Sequence, residues 1–177
     1  MGFFYTITLP GVIIHELAHQ LFCDLYNIPV YEVCYLNPGA EDGIVGHVLH
    51  RPTESVAASW SIALAPLLVN SLVCILFNFP FSTIRAFGLE DQINLHGFLL
   101  NAGYIVLQLI GMAAGIHAIP SNQDVKGLTE LNQPLVMRLL AVAVQNIVAL
   151  FNWGYVGALL QLFFVYGLIT VLPAILF

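Results

Sequence analysis

The chain has 177 residues, of which 59% are hydrophobic and only 8% are charged, and its mean hydropathy is +0.89. Soluble domains carry about 25% charged residues, so a chain this poor in charge indicates that lipid is the solvent for much of its surface. Ten acids against four bases give a formal charge of −6, which excludes the basic footprint that a nucleic-acid partner requires.

The apolar residues form runs long enough to cross a bilayer, because a membrane helix needs about 20 residues. They predict an all-α polytopic membrane protein with about five transmembrane helices, in one membrane domain over residues 1–177. The runs cover residues 3–25, 56–79, 95–119 and 135–177, the last divided into two helices at Asn152-Trp153-Gly154-Tyr155. The half that covers 135–151 is short for a full span. We therefore expect a multi-pass protein of the cell membrane.

The segment between the first two predicted helices has the composition of a β-hairpin. Residues 30–35 and 44–49 are rich in β-branched and aromatic side chains, and Asn37-Pro38-Gly39 and Asp42-Gly43 between them favour turns. The pattern predicts a small sheet at the membrane surface. Arg51, Lys126 and Arg138 lie on the hairpin side of this topology and Arg85 on the other, which predicts that the hairpin faces the cytoplasm.

The first apolar run contains the motif His15-Glu16-Leu17-Ala18-His19. On a helix, His15 and His19 share one face, and two imidazoles at this spacing can bind one zinc ion. Glu16 can then act as a general base on water at the metal. A carboxylate deep in the bilayer costs at least ~2.5 kcal/mol, and a bound dication would compensate that cost. The alternative is that both histidines bond to neighbouring helices and that Glu16 is protonated.

A catalytic zinc ion usually has three protein ligands. We favour Asp124 as the third, since it follows the break of the third helix at Pro120, and a broken helix within a membrane lines a polar cavity. His117 is the competing ligand, and it could instead hydrogen-bond to a ligand or stabilise the transition state. A solvated loop acid near a helix start is the simpler interpretation of Asp124. His47 and His50, in the predicted hairpin, are interpreted as surface histidines.

These residues resemble the site-2 proteases, the M50-like class of intramembrane zinc metalloproteases. His15, Glu16 and His19 match the first motif of that family, and Ala118-Ile119-Pro120-Ser121-Asn122-Gln123-Asp124 is similar to the segment that supplies its aspartate ligand, although no Asp-Gly follows. Ala65-Pro66-Leu67-Leu68-Val69-Asn70 is more distantly similar to a Gly-Pro-x-Asn motif whose asparagine holds substrate. The resemblance implies substrate binding for Asn70, with helix packing as the alternative.

The resemblance implies a small, divergent zinc-dependent endopeptidase that hydrolyses peptide bonds of transmembrane helices. Its substrate would be a single-span membrane protein or a peptide, received by edge pairing with the hairpin strands. The protease-like core is expected at about 1–134, followed by extra helices at about 135–177. The alternatives are a membrane metal or proton transporter, a non-catalytic membrane protein that binds clients, and a zinc hydrolase with a non-peptide substrate.

Overall fold

The computed structural model describes residues 3–37, 45–86 and 98–176, with side chains over 8–37, 45–79 and 103–175. These residues are mostly helical and include a two-stranded sheet between the first two helices, which confirms the predicted helical fold and the position of the sheet. The elements in chain order are α1 (Phe3–Leu25), β1 (Val30–Cys34), β2 (His47–His50), α2 (Val56–Ala86), α3 (Phe98–Ile116), α4 (Asn122–Lys126), a 3-10 turn (Gly127–Thr129), α5 (Leu135–Phe151), α6 (Gly154–Tyr166), a π turn (Gly167–Val171) and α7 (Leu172–Leu176).

Helices α1, α2 and α3 pack against one another and form the body of the structure. Small residues bring their backbones close together: Ala18, Ala65 and Ala114 are buried at these contacts. At Gly11 of α1, a β-carbon would overlap the carbonyl oxygen of Ala113 in α3. Membrane helices associate through such small residues, because the hydrophobic effect does not drive helices together in lipid and close backbone packing must do so.

Two helical segments are long and apolar enough to cross a membrane, Val56–Phe79 within α2 and Gly154–Ile175 from α6 to α7. Gly103–Ile116 and Leu135–Phe151 are apolar but shorter. On α2, the side chains of Leu68, Leu72 and Leu76 follow one another at single-turn spacing and are all exposed. An exposed leucine stripe of this kind fits an apolar solvent.

The sheet pairs β1 and β2 antiparallel, with Val33 opposite Val48 and a bulge near the start of β1. Just before it, α1 ends where Asn27 takes a left-handed conformation, with φ of 54°, and the amide of Ile28 donates to the Cys23 carbonyl. After β1, the Tyr35 hydroxyl donates to the side-chain oxygen of Gln20 on α1. The sheet is thus fastened beside the C-terminal half of α1. The predicted turn residues 38–44 lie outside the described residues.

Two predicted boundaries differ from the observed ones. The loop predicted at 80–94 begins later, since α2 continues to Ala86 through Pro80. Proline keeps a helical φ and removes only one backbone donor, so an apolar helix can continue past it. Residues 87–97 lie outside the described part. The loop predicted at 120–134 is partly helical, because it contains α4 and the 3-10 turn.

The break predicted in the last apolar run is observed. Helix α5 ends at Phe151 and α6 begins at Gly154. Gly154 has a φ of 49°, a left-handed conformation that glycine adopts readily. The two helices that follow residue 134 therefore meet at an elbow formed by Asn152, Trp153 and Gly154.

Candidate metal centre

Three ligand-type side chains converge between α1 and α4. His15 and His19 project from one face of α1, and their rings meet edge to face with centroids 4.9 Å apart. Their Nε2 atoms are 3.3 Å apart. Asp124 of α4 faces both rings: its Oδ2 is 3.3 Å from Nε2 of His15, and its Oδ1 is 3.3 Å from Nε2 of His19. The structure therefore brings together the three residues that the sequence predicts as ligands.

A proline in α2 explains how His19 is oriented. The Nδ1 of His19 donates to the carbonyl oxygen of Ile62 at 2.9 Å. In a regular helix this carbonyl would accept the amide of residue 66, but Pro66 has no N–H. The Ile62 carbonyl is therefore available to the imidazole, and this bond turns Nε2 of His19 toward Asp124.

The end of α3 orients His15 in the same way. Nδ1 of His15 donates to the carbonyl oxygen of His117 at 2.8 Å. The last carbonyls of a helix have no partner within the helix, and here Asn70 supplies one. Its side-chain Nδ2 lies 3.2 Å from the oxygens of both Ala114 and His117, and 3.1 Å from that of Gly11. Asn70 thus fixes the carbonyl that holds His15.

The two Nδ1 contacts determine where the imidazole protons are. A carbonyl oxygen only accepts, so each neutral ring carries its proton on Nδ1 and presents a lone pair at Nε2. An ionised Asp124 also only accepts. Acceptor atoms of three residues therefore face one another, an arrangement that a positive charge stabilises, either a metal ion between them or a proton carried at Nε2 by one of the imidazoles.

The spacing of these atoms fits a metal ion. Ligand atoms about 2.0–2.1 Å from a tetrahedral ion such as zinc lie about 3.3–3.4 Å apart. The two imidazole Nε2 atoms are 3.3 Å apart, and each of them lies 3.3 Å from a different oxygen of the Asp124 carboxylate. Hydrogen bonds to nitrogen are usually shorter, near about 2.9–3.0 Å. One ligand atom from each residue lies within 4.8 Å of the other two, so the group could hold a metal ion.

Asp124 is held in place by its own short helix. The Ser121 hydroxyl accepts from the amide of Asp124, and the amide of Ser121 donates to Oδ2 of Asp124 at 2.6 Å, which forms a capping box. Burial alone would raise the pKa of the Asp124 carboxyl, but the His15 and His19 imidazoles outweigh this effect and lower that pKa. The carboxylate is therefore ionised and available as a ligand.

Glu16 lies beside the ligands in a cavity of about 830 Å³. Its side chain is buried, with 7% of its surface exposed. The backbone at Gly46, just before β2, approaches it so closely that a β-carbon there would lie 2.7 Å from Cγ and 2.9 Å from Oε1 of Glu16. The wall of the cavity also includes His117 and polar residues of the α4 segment, namely Ser121, Asn122 and Gln123.

The other residues that the sequence predicts have different positions. His117 lines the cavity, and its Nε2 is buried with no hydrogen-bond partner among the described residues. Asn70 is completely buried between the helices. Its predicted contact with substrate stays a prediction, whereas its contact with the His117 carbonyl is observed. His47 and His50 line the cavity. His47 lies 3.6 Å from Glu32, and the Nδ1 of His50 contacts the Arg51 carbonyl.

Sequence reasoning missed the groups that orient the ligands. Three of them are backbone groups, the carbonyls of Ile62 and His117 and the amide of Ser121. Pro66 was a readable signal for the first, because a proline within a helix leaves the carbonyl four residues earlier without its usual donor.

The fold and the donor set define a helical protein with a candidate metal centre between its first helix and a short helix after its third. Comparisons with protein-family models, with curated proteins and with solved structures give no match for this chain.

Proposed function

We propose that this protein is an intramembrane zinc-dependent endopeptidase that hydrolyses peptide bonds of transmembrane substrate helices. The observation that carries the proposal is the convergence of His15, His19 and Asp124, which each direct an acceptor atom to one point, with the buried carboxylate of Glu16 beside them. Two histidines and one carboxylate, with a fourth position left for water, form the ligand type of hydrolytic zinc sites. Imidazole ligands in this geometry suit zinc better than magnesium or calcium.

The chemistry divides between the ion and the side chains. A bound zinc ion supplies Lewis acidity and lowers the pKa of a water ligand to about 7. Glu16 takes one proton from the attacking water and delivers it to the nitrogen of the leaving amine as the peptide bond breaks. His117 lines the cavity, and in our proposal it stabilises the carbonyl oxygen as negative charge develops there.

In our proposal the protein crosses the cell membrane about five times, and the two long apolar segments support a membrane setting. Beyond the two long apolar segments, α1 and the shorter helices α3 and α5 are assigned as the remaining spans. The exposed leucine stripe of α2 supports contact with lipid. Glu16 and the two histidines lie within α1, where a polar cluster needs a compensating role. Hydrolysis also needs water, and the polar cavity wall at the α4 segment gives it a route.

A peptide substrate is supported by the position of the sheet. Strand β2 borders the cavity through His47, Val48 and His50. A peptide segment that pairs with a strand edge is extended, and an extended segment exposes carbonyls that an intact helix engages in its own hydrogen bonds. Transmembrane helices that unwind easily are therefore the expected substrates.

The first test is the metal content of the detergent-purified protein. We expect about one zinc ion per chain, lost in His15→Ala and retained in Glu16→Gln. The second test reconstitutes both proteins in liposomes with a panel of single-span membrane proteins. Cleavage by the wild type and none by Glu16→Gln is expected. A fully active Glu16→Gln would contradict the mechanism. Metal flux across the liposome membrane without cleavage would favour a transporter.

A further inference from the structure

The segment that carries Asp124 is held at two points by side-chain amides of the last helices. Near its start, Asn152 at the end of α5 donates through Nδ2 to the carbonyl of Pro120 at 3.1 Å. Near its end, Gln145 of α5 donates through Nε2 to the carbonyls of Val125 at 2.9 Å and Lys126 at 3.1 Å. We call Gln145 and Asn152 the amide clamp.

The clamp donates hydrogen bonds to backbone carbonyls at the end of α4 that have no partner within that helix. A helix of five residues is too short to be stable alone, and its last carbonyls have no partners within it. Gln145 supplies a donor to two of them, beside the Gly127 amide at the Val125 carbonyl and the Thr129 hydroxyl at the Lys126 carbonyl. Its amide also contacts the Thr129 hydroxyl oxygen at 3.2 Å. Gln145 and Asn152 are seven residues apart, so they lie on the same face of α5. One face of one helix therefore holds the segment both before and after Asp124.

Apolar contacts join the same two elements. Val125 and Leu128, on either side of the α4 end, pack with Ala141 and Val148 of α5 and with Ala63 of α2. The segment is thus pressed against α2, which carries the carbonyl that orients His19. The segment that carries Asp124 is bonded to α5, whereas both histidines belong to α1. The distance between Asp124 and the histidines therefore depends on how α5 docks.

We propose that Gln145 and Asn152 are positioning residues of the metal centre, which hold the Asp124 carboxylate at ligand distance from His15 and His19. Helix α5, which follows residue 134, is accordingly needed to hold the site in its geometry. This inference rests on the proposed function only in taking the site to bind metal, and it does not depend on the peptidase activity.

The test compares Gln145→Met with Asn146→Ala in the full-length protein. Methionine keeps the length of the glutamine side chain without its donors. Asn146 is a matched control: it is the next residue on α5, it is exposed, and its amide binds the Val142 carbonyl of its own helix. We expect the dissociation constant for Co²⁺ to rise by about 10- to 100-fold in Gln145→Met, with a changed visible absorption spectrum of the bound cobalt. The control should match the wild type in both.

A double-mutant cycle separates positioning from general damage. If the clamp acts through Asp124, Gln145→Met should add little to the loss of Co²⁺ affinity in an Asp124→Asn background. An additive loss, or an unchanged Co²⁺ affinity in both Gln145→Met and Asn152→Leu, would overturn the inference.

Hydrogen exchange measured without metal tests the clamp even if the proposed function is wrong. We expect faster exchange of the backbone amides of residues 122–129 in Gln145→Met than in Asn146→Ala. Equal exchange in the two variants would overturn the clamp even if the wild type binds zinc. Faster exchange in Gln145→Met than in Asn146→Ala, together with a wild type that binds no metal, would retain the clamp and reject the metalloprotease.

Discussion

Pro66 and His19 are joined through a single carbonyl group. The oxygen of Ile62 accepts from Nδ1 of His19 at 2.9 Å, and it has no helical donor because Pro66 lacks an N–H. A helix irregularity in α2 thereby determines which nitrogen of His19 faces the metal site.

The variant Pro66→Ala tests this relationship. Alanine restores an amide that competes with His19 for the Ile62 carbonyl, so we expect zinc affinity to fall by about tenfold or more. Isothermal titration with zinc measures the change, and Leu68→Ala, at an exposed position of the same helix, is the control. Wild-type zinc affinity in Pro66→Ala would show that His19 needs no such acceptor.

Gly46→Ala is expected to displace Glu16 without removing metal. The added β-carbon would lie 2.7 Å from Cγ of Glu16, so the flexible acid must rotate away. A misplaced general base costs catalysis about 10²-fold or more, whereas the three ligands are untouched. Cleavage rate and zinc content are measured together. Gly103→Ala, where a β-carbon meets nothing within 4 Å, should resemble the wild type, and a fully active Gly46→Ala would contradict the assignment of Glu16.

Gly11→Ala should lower the stability of the whole helical body. Its β-carbon would overlap the Ala113 carbonyl oxygen, and neither backbone can move without separating α1 from α3. Overpacking of this kind costs about 1–3 kcal/mol. Thermal unfolding in detergent measures the loss, again with Gly103→Ala as the control. An unchanged melting temperature would mean that the two helices are farther apart than described.

Metal removal should also lower stability, because the ion would link α1 to α4. At a zinc concentration about 100 times the dissociation constant, binding to the folded state alone contributes about 2.7 kcal/mol. A chelator should therefore lower the melting temperature of the wild type by several degrees. The same chelator should have a much smaller effect on Asp124→Ala, and equal shifts in both proteins would exclude Asp124 as a ligand.

The sequence predicted those features that local patterns encode. Apolar run length predicted α1, turn residues predicted the break at Asn152, and helical spacing placed His15 and His19 on one face. Asp124 was predicted from its proximity to a broken helix and from a family resemblance. The predicted end of α2 was wrong, since the apolar run ends at residue 79 whereas the helix continues through Pro80 to Ala86.

What the sequence could not give is the set of contacts between distant backbones. The carbonyl oxygens of Ile62 and His117 orient the two histidines. Every residue has such an oxygen, and it is available to a histidine only where a helix is interrupted beside that histidine. Gln145 reads as an ordinary polar residue of an apolar helix until α5 is docked on α4. These relationships are tertiary and leave no periodic mark in the chain.

The separation of the ligands along the chain has a consequence for synthesis. His15 and His19 leave the ribosome more than a hundred residues before Asp124, and the clamp residues follow later still. A nascent chain therefore carries an incomplete site while its first helices enter the bilayer. We expect the centre to assemble only after α5 has docked, so the proposed peptidase would stay inert among the other nascent helices at the translocon.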